Sequence, residues 1–146
     1  MKKEILQLCR QMVATKVAAI DREMADLQES ANSDTKSAMG DKYETGRAMI
    51  QLEQENLYER KSQLMEQSQM LSKLSSAICH EAIPGALVTT DMGVFYISAG
   101  LGKLDVEGRQ VFAVSPDSPI ARQMFGKKAG DPFEINGKVV AIITIS

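Results

Sequence analysis

The chain has 146 residues, enough for one ordinary domain or two small ones. It carries 17 lysines and arginines against 19 aspartates and glutamates, so it lacks the overall basic excess that is typical of proteins binding nucleic acid on their own. No stretch of the sequence approaches the roughly 20 apolar residues of a membrane span. We therefore expect a cytoplasmic protein that does not associate with a membrane.

Two heptad patterns fill the first half of the chain, and each predicts a long helix with an apolar face that needs a partner. The first pattern, between Glu4 and Glu29, consists of Leu6, Val13, Ile20 and Leu27. The second, which contains no proline, consists of Tyr43, Ile50, Leu57, Leu64, Leu71 and Ile78. Heptads alone fit a coiled coil between two chains as well as a hairpin within one chain. The short connection favours the hairpin and a monomer, because two helices of one chain can cover each other's apolar seams.

An acidic segment, Ser33–Glu44, connects the two predicted helices. We expect the chain to fold back near residue 36, with the tip of the hairpin at about residues 31–42 and a first helix about 40 Å long. The candidate functional carboxylates of this segment are Asp34, Asp41 and Glu44. A local alternative is that Asp41 and Glu44 form a capping box at the start of the second helix, since they have its spacing.

Three basic side chains accompany these acids, namely Lys36, Lys42 and Arg47. Such cations contact phosphates or acidic protein groups in some proteins and are plain solvated surface in others, and both interpretations are open here. Tyr43 has the ring needed to stack on a nucleic-acid base, but its heptad position also fits packing between the helices.

Helical periodicity stops within residues 80–85, which end in Pro-Gly. We therefore divide the chain into a helical hairpin at residues 1–80 and a second domain at residues 85–146. His80 is the only histidine, and we expect it to lie at a helix end rather than to bind a metal. Cys9 and Cys79 both fit the helical periodicity. After the fold-back Cys9 would lie near residue 64, so we expect free thiols rather than a disulfide.

Beyond Gly85 the pattern changes to short runs typical of strands, separated by turn signals such as Asn136-Gly137. The predicted strands are Ala86–Thr90, Gly93–Ser98, Gln110–Val114, Pro132–Ile135 and Lys138–Ile145. One helix interrupts them, with Asp117 or Ser118 as its cap, Pro119 in its first turn and Gly126 at its end. The sequence therefore predicts an α+β chain in which an antiparallel sheet with one short helix follows the hairpin.

The segment Ser115–Asp131 contains Ser-Pro, a short helical run, Gly-Lys-Lys and Gly-Asp in that order. It resembles the Gre family of bacterial transcription elongation factors, in which these parts recur. The resemblance covers essentially the whole chain, because those proteins carry an N-terminal antiparallel coiled coil with an acidic tip and a C-terminal domain like the FK506-binding-protein (FKBP) fold. It implies that RNA polymerase is the partner and that the coiled coil enters the polymerase's secondary channel.

The resemblance also implies an accessory factor rather than an enzyme. The polymerase's own active site would cleave backtracked RNA, while Asp34, Asp41 or Glu44 would help to hold a second Mg²⁺ and orient water. The chain would bind no metal stably by itself and would meet nascent RNA only within the elongation complex. Lys36, Lys42 and Arg47 would contact RNA or polymerase. The docking residues would be Ser118, Pro119, Phe125, Lys127 and Lys128, although helix capping and turns are a structural alternative for the individual residues.

The predicted tip departs from the family pattern. Aligning on Tyr43 leaves two extra residues between it and Asp34, and the expected partner of Asp34 becomes Ser37, which is not a carboxylate. Three readings stay open: a factor that stimulates RNA cleavage, a secondary-channel regulator that does not, and a coiled-coil interaction protein unrelated to polymerase. Prolyl isomerase activity, which the fold analogy suggests, is not expected in a chain without tryptophan or an obvious aromatic pocket.

Overall fold

A computed structural model describes residues 1–37 and 41–146, and the side chains of residues 1–31 and 46–146. Within these residues two long helices come first and are followed by six strands and one short helix, which confirms the predicted α+β order. The helices are α1 (Lys2–Ser37), α2 (Asp41–Lys73) and α3 (Pro119–Met124). The strands are β1 (Leu87–Thr90), β2 (Gly93–Ile97), β3 (Gly102–Val106), β4 (Arg109–Val114), β5 (Pro132–Ile135) and β6 (Lys138–Ile145).

The chain forms two compact units. The hairpin unit is Met12–Ser68, and the sheet unit combines Met1–Gln11 with Gln69–Ser146. The boundaries between the units lie inside α1 and α2. The first turns of α1 and the last turn of α2 therefore belong to the sheet unit.

Two side-chain pairs in the hairpin unit show that α1 and α2 run antiparallel. Gln54 Nε2 donates to Gln28 Oε1 at 3.1 Å, and Lys61 Nζ lies 2.6 Å from Asp21 Oδ1. Both pairs are centred on position 41 of the chain. The expected fold-back near residue 36 is therefore too early, because α1 continues as far as Ser37.

Three apolar heptad residues of the hairpin unit are buried as the pattern predicts, whereas Leu27, Ile50 and Leu64 are half-buried. Val13, Ile20 and Leu57 are only 1%, 4% and 2% exposed. Gln54 and Lys61 follow one another at the same heptad spacing on α2, and they make the two cross-helix pairs described above. Apolar burial thus supplies most of the pairing free energy, whereas the polar pairs are directional contacts.

The second helix ends at Lys73, before the predicted end at Ile78. Arg10 provides the physical reason: its Nε and Nη2 donate to the Leu71 carbonyl at 3.1 and 2.9 Å, and Nη2 also donates to the Leu74 carbonyl at 3.0 Å. These bonds satisfy carbonyls that a continuing helix would otherwise have used. The predictions that place Cys79 and His80 in or at the end of this helix are consequently wrong, since both lie beyond it.

The six strands form one sheet in the order β3-β4-β2-β1-β6-β5. Every neighbouring pair is antiparallel except β2 with β4, which is parallel. The predicted antiparallel sheet is therefore confirmed for four of the five strand pairs, and the pair of β2 with β4 is the exception. The parallel pair arises because β3 reverses the chain between β2 and β4, so these two strands run in the same direction.

The sequence pattern does not predict β3. Its five residues offer only two inward apolar side chains, Leu104 and Val106, and glycine and aspartate are depleted in strands. The turn that follows accounts for the pairing, since Glu107 (φ 52°) and Gly108 (φ 79°) both take the left-handed conformation of a tight two-residue hairpin. The predicted turn at Asn136 and Gly137, with φ of 52° and 78°, joins β5 to β6 in the same way.

One apolar core packs α3 against the sheet. Ala121 and Met124 of α3 are 2% and 0% exposed. They belong to one buried cluster with residues from β1, β2, β5 and β6 and from the segment before β1, namely Ala82, Ala86, Val88, Phe95, Ile97, Phe133, Val140 and Ile142. This core holds α3 and the segment that follows it in a defined position.

The sheet unit also buries a thiol and a phenol. Cys9 of α1 and Tyr96 of β2 are both fully buried. Burial raises the pKa of the Cys9 thiol to about 11, although the neighbouring Ser98 hydroxyl opposes part of this rise. Burial is also the main cause that raises the pKa of Tyr96 to about 12, and the nearby Cys9 adds to it. Cys9 and Cys79 are both free thiols.

At alkaline pH the free energy of unfolding should fall less steeply with pH in Tyr96→Phe than in the unmodified protein. Near neutral pH we expect the two proteins to be equally stable. The Tyr96 hydroxyl has no hydrogen-bond partner among the described residues, so its removal leaves no other group unsatisfied. The folded pKa of about 12 exceeds the ordinary value of 10.0. The protonated phenol therefore contributes fully to the free energy of unfolding below the ordinary pKa of 10.0. This contribution is lost as the pH rises from the ordinary pKa toward the folded pKa of about 12.

Urea unfolding of both proteins, repeated from neutral pH to about pH 11, measures this difference. The change in stability that begins near pH 9 and comes from Cys9 should be common to both proteins. An alkaline slope in Tyr96→Phe as steep as that of the unmodified protein would contradict the assignment.

Candidate functional site

The segment that connects α1 to α2 contains the functional residues predicted for the hairpin. Its backbone places Asp34 in α1, and Asp41 and Glu44 in α2. The side chains of these three acids, and those of Lys36 and Lys42, lie outside the described residues. Arg47 is described and is exposed near the start of α2. The roles of all six residues therefore stay predictions.

Ser118 of the predicted docking set caps α3. Its Oγ accepts a hydrogen bond from the Ala121 backbone N–H at 3.3 Å and donates to the Ser115 carbonyl at 2.7 Å. Pro119 follows as the first residue of the helix. Of the two candidate caps, Asp117 and Ser118, the structure selects Ser118, whose hydroxyl fixes the start of α3.

The segment after α3 divides into residues that hold its shape and residues that face outward. Lys127 Nζ donates to the Pro132 carbonyl at 2.9 Å, and the Lys128 backbone N–H donates to Asp131 Oδ2 at 2.9 Å. The Phe125 ring is 64% exposed, and the Lys128 side chain is also exposed. We call Phe125 and Lys128 the α3 patch. It is the part of the predicted docking set that offers both an apolar and a cationic surface to a partner.

Lys2 is an anchoring residue that the sequence pattern did not predict. It is only 8% exposed. Its Nζ donates to the carbonyls of Ala77 at 2.6 Å and Ser146 at 2.9 Å, and it lies 3.5 Å from Cys79 Sγ. One ammonium group therefore joins three segments of the sheet unit. The sequence carries no signal for this role, because Lys2 and its exposed neighbour Lys3 belong to the same polar start of α1.

Two open grooves lie among the described residues of the hairpin unit. One is lined by carboxylate, amide, aromatic and thioether side chains, namely Met24, Gln28, Gln51, Gln54, Glu55, Tyr58, Glu59 and Ser62. The other is lined by side chains of both charges and by apolar ones, namely Lys16, Ala19, Ile20, Glu23, Arg60, Gln63, Leu64 and Gln67. This mixture of chemistries favours no particular small ligand in either groove.

The described side chains include no group of three or more histidines, cysteines, aspartates and glutamates placed to hold a metal ion. In the same part of the chain, none of the helices has the length and apolar character needed to cross a membrane.

No known protein-family model matches the sequence, and no curated protein matches it either. Solved structures do resemble the chain along most of its length. The crystal structure of GreA factor homolog 1 (Gfh1) of Thermus thermophilus is 12% identical, with a TM-score of 0.38, and the match covers 94% of each chain. A structure of the transcription factor Gfh1 is also 12% identical with a TM-score of 0.38, over 93% of this chain and 92% of the other. At TM-scores this low, the evidence for the fold is this chain's own strand pairs and helix contacts.

Proposed function

We propose that this chain is a transcription elongation factor that binds RNA polymerase in the cytoplasm and acts as an accessory protein rather than as an enzyme. In this proposal the helical hairpin enters the secondary channel of the polymerase and aids cleavage of backtracked RNA. The observation that carries the proposal is the antiparallel pairing, within one chain, of helices of 36 and 33 residues that flank an acidic segment. A long, thin hairpin is suited to carry charged groups into a cavity too narrow for a compact domain.

The proposed chemistry assigns the carboxylates a supporting role. Mg²⁺ prefers oxygen ligands and usually keeps several waters, so one or two carboxylates from outside can complete a site formed by the polymerase and the RNA phosphates. Two metal ions then stabilise the attacking and leaving oxygens. Asp34, Asp41 and Glu44 are the candidates. Mg²⁺ is therefore a shared ion of the complex and not a cofactor of this chain alone.

Two further observations support the proposal. The Gre-like segment Ser115–Asp131 leaves the α3 patch available to a partner, and the same resemblance assigns an FKBP-like fold to the sheet domain. The intrachain pairing also buries Ile20 and Leu57, so these seam residues are not available to pair with a second chain. The proposed form is therefore a monomer that meets nascent RNA only within the elongation complex.

A second candidate is a regulator that occupies the secondary channel without stimulating cleavage. The observation that favours it is Ser37, which stands where the family pattern places the carboxylate partner of Asp34. A serine hydroxyl is a weaker ligand for Mg²⁺ than a carboxylate. This candidate shares the hairpin and the docking residues with the first and differs from it only in the chemistry of the tip.

Stalled, backtracked elongation complexes distinguish the candidates when polymerase binding and RNA cleavage are measured on the same samples. The first proposal expects both binding and faster cleavage. Binding without faster cleavage would leave only the regulator. Failure to bind polymerase would reject both candidates and leave the third reading, a coiled-coil protein unrelated to polymerase.

We expect Phe125→Ala to weaken polymerase binding about 10-fold or more, since exposed aromatic residues at the centre of an interface often contribute most of its affinity. Val139→Ala is the matched control, because Val139 is also an exposed apolar residue of the sheet unit, at 73% against 64% for Phe125. Titration of labelled protein with core polymerase gives both affinities. Equal affinities for the two variants would place the docking surface elsewhere.

A further inference from the structure

The apolar seam of the hairpin unit does not define a unique register. Apolar residues recur every seven positions on both helices, for example Val13 and Ile20 on α1, and Leu57 and Leu64 on α2. Sliding one helix past the other by seven residues brings an apolar side chain back to each of these seam positions. The heptad pattern therefore favours the native register and its neighbours by similar amounts.

The two polar pairs, in contrast to the apolar contacts, do not recur when one helix slips by seven residues. Only the native register places Lys61 opposite Asp21 and Gln54 opposite Gln28. A slip of seven residues in one direction would place Lys61 opposite Ala14, and a slip in the other direction would place it opposite Gln28. Both slips remove the ion pair, whose atoms lie 2.6 Å apart in the native register.

We propose that the Asp21–Lys61 ion pair, assisted by Gln28–Gln54, sets the register of the hairpin unit. Polar groups at seam positions are known to specify register in coiled coils at some cost in stability, because a mismatched partner leaves them unpaired. The Lys61 and Asp21 side chains are 33% and 51% exposed, so their contribution lies in discrimination between registers more than in total stability.

The register decides which residues flank the turn. A slip of seven residues moves the centre of the hairpin by about three and a half positions, from position 41 to about position 37 or 38 in one direction and to about position 44 or 45 in the other. If the proposed function is correct, Asp21 and Lys61 are thus positioning residues for the acidic segment. This last step rests on the proposed function, whereas the register itself can be measured without polymerase.

Cysteine cross-linking reads the register directly. In full-length protein carrying Cys9→Ala and Cys79→Ala, Tyr58→Cys is combined with a second cysteine on α1. Met24→Cys reports the native register, since Met24 and Tyr58 line the same groove and are centred on the same position as the two polar pairs. Val17→Cys and Ala31→Cys, one heptad to either side of Met24, report the two slipped registers.

We expect cross-linking between positions 24 and 58 to dominate while the ion pair is intact. Lys61→Asp, which faces Asp21 with a like charge, should raise the ratio of slipped to native cross-links about 5-fold or more. Adding Asp21→Lys to Lys61→Asp should restore the native ratio. A variant that merely loosens the hairpin would not be rescued by this exchange of charges.

Lys61→Met provides a second variant in case Lys61→Asp lowers the helical circular dichroism, because it keeps the aliphatic stem and removes only the charge. It should shift the cross-link ratio in the same direction by a smaller factor. The proposal would be overturned if a Lys61 variant that keeps its helical circular dichroism left the ratio of slipped to native cross-links unchanged. It would also be overturned if the charge exchange failed to restore the native ratio. Either result would show that other contacts set the register. If the cross-link ratios change as expected but the unmodified protein does not bind polymerase, the proposed function is rejected and the register assignment is not.

Discussion

Leu57→Ala should lower the free energy of unfolding by about 2–5 kcal/mol. Leu57 is 2% exposed, and its side chain lies at a heptad position of the thin pairing between α1 and α2. Its truncation removes apolar burial and leaves a cavity that two helices can close only partly. Guanidinium unfolding followed by helical circular dichroism gives the change in free energy.

Leu52→Ala is the matched control for this prediction, because it makes the same chemical change five positions earlier on α2 at a residue that is 59% exposed. We expect it to change stability by no more than about 0.5 kcal/mol. Equal losses in the two variants would contradict the assignment of the Leu57 contribution to burial against α1, because alanine is the better helix former and the substitution itself does not weaken the helix.

If a carboxylate of the acidic segment holds the shared Mg²⁺ as proposed, neutralising it should reduce RNA cleavage in backtracked complexes by at least about 10-fold while leaving polymerase binding intact. The variants are Asp34→Asn, Asp41→Asn and Glu44→Gln. Each replaces a charged oxygen ligand with a neutral amide of nearly the same shape. The residue whose variant loses cleavage without losing affinity is the ligand.

Glu55→Gln is the control for the carboxylate series, because Glu55 is an exposed acid on the same helix but lies farther from the turn. It should stimulate RNA cleavage by the polymerase as much as the unmodified protein does. If Asp41→Asn and Glu44→Gln instead lower helix stability without a specific loss of cleavage, the capping-box interpretation of these two residues is correct. If none of the variants alters cleavage by a protein that does stimulate it, the tip carboxylates are not the ligands.

The sequence predicted the architecture well where a pattern repeats many times. Two sets of heptads predicted two long helices, and the Asn136-Gly137 signal predicted the turn between β5 and β6. The strand β3 was missed because its two apolar residues are too few to form a recognisable alternation. Without β3, the parallel pairing of β2 with β4 could not be foreseen either.

The sequence could not predict contacts that depend on the register between distant segments. The fold-back was placed too early, so Arg10 was not matched with the Leu71 carbonyl, and the end of α2 was placed too late. Lys2 is a similar case, since its three partners lie at least 75 residues away along the chain. Such residues have no local signature, because a polar side chain looks the same in sequence whether it is solvated or anchors a carbonyl.

The candidate site was predicted only in outline. Ser118 was named as one of two possible caps, and the structure shows that its hydroxyl bonds Ala121 and Ser115. Phe125 was named as a docking residue, and its exposure is consistent with that role. The sequence could not separate helix capping from ligand binding in the acidic segment, because both roles use the same carboxylates at the same spacing.

Photo-crosslinking from the turn tests most directly whether the hairpin enters the polymerase. Benzoylphenylalanine is placed at position 39 between the helices, and at position 139 of the sheet unit as the control, and both proteins are irradiated with backtracked complexes that carry labelled RNA. We predict cross-links from position 39, but not from position 139, to the RNA 3′ end and to the polymerase residues around its active centre. Cross-links from position 39 only to the outer surface of the polymerase, or none above those of the control, would contradict the account.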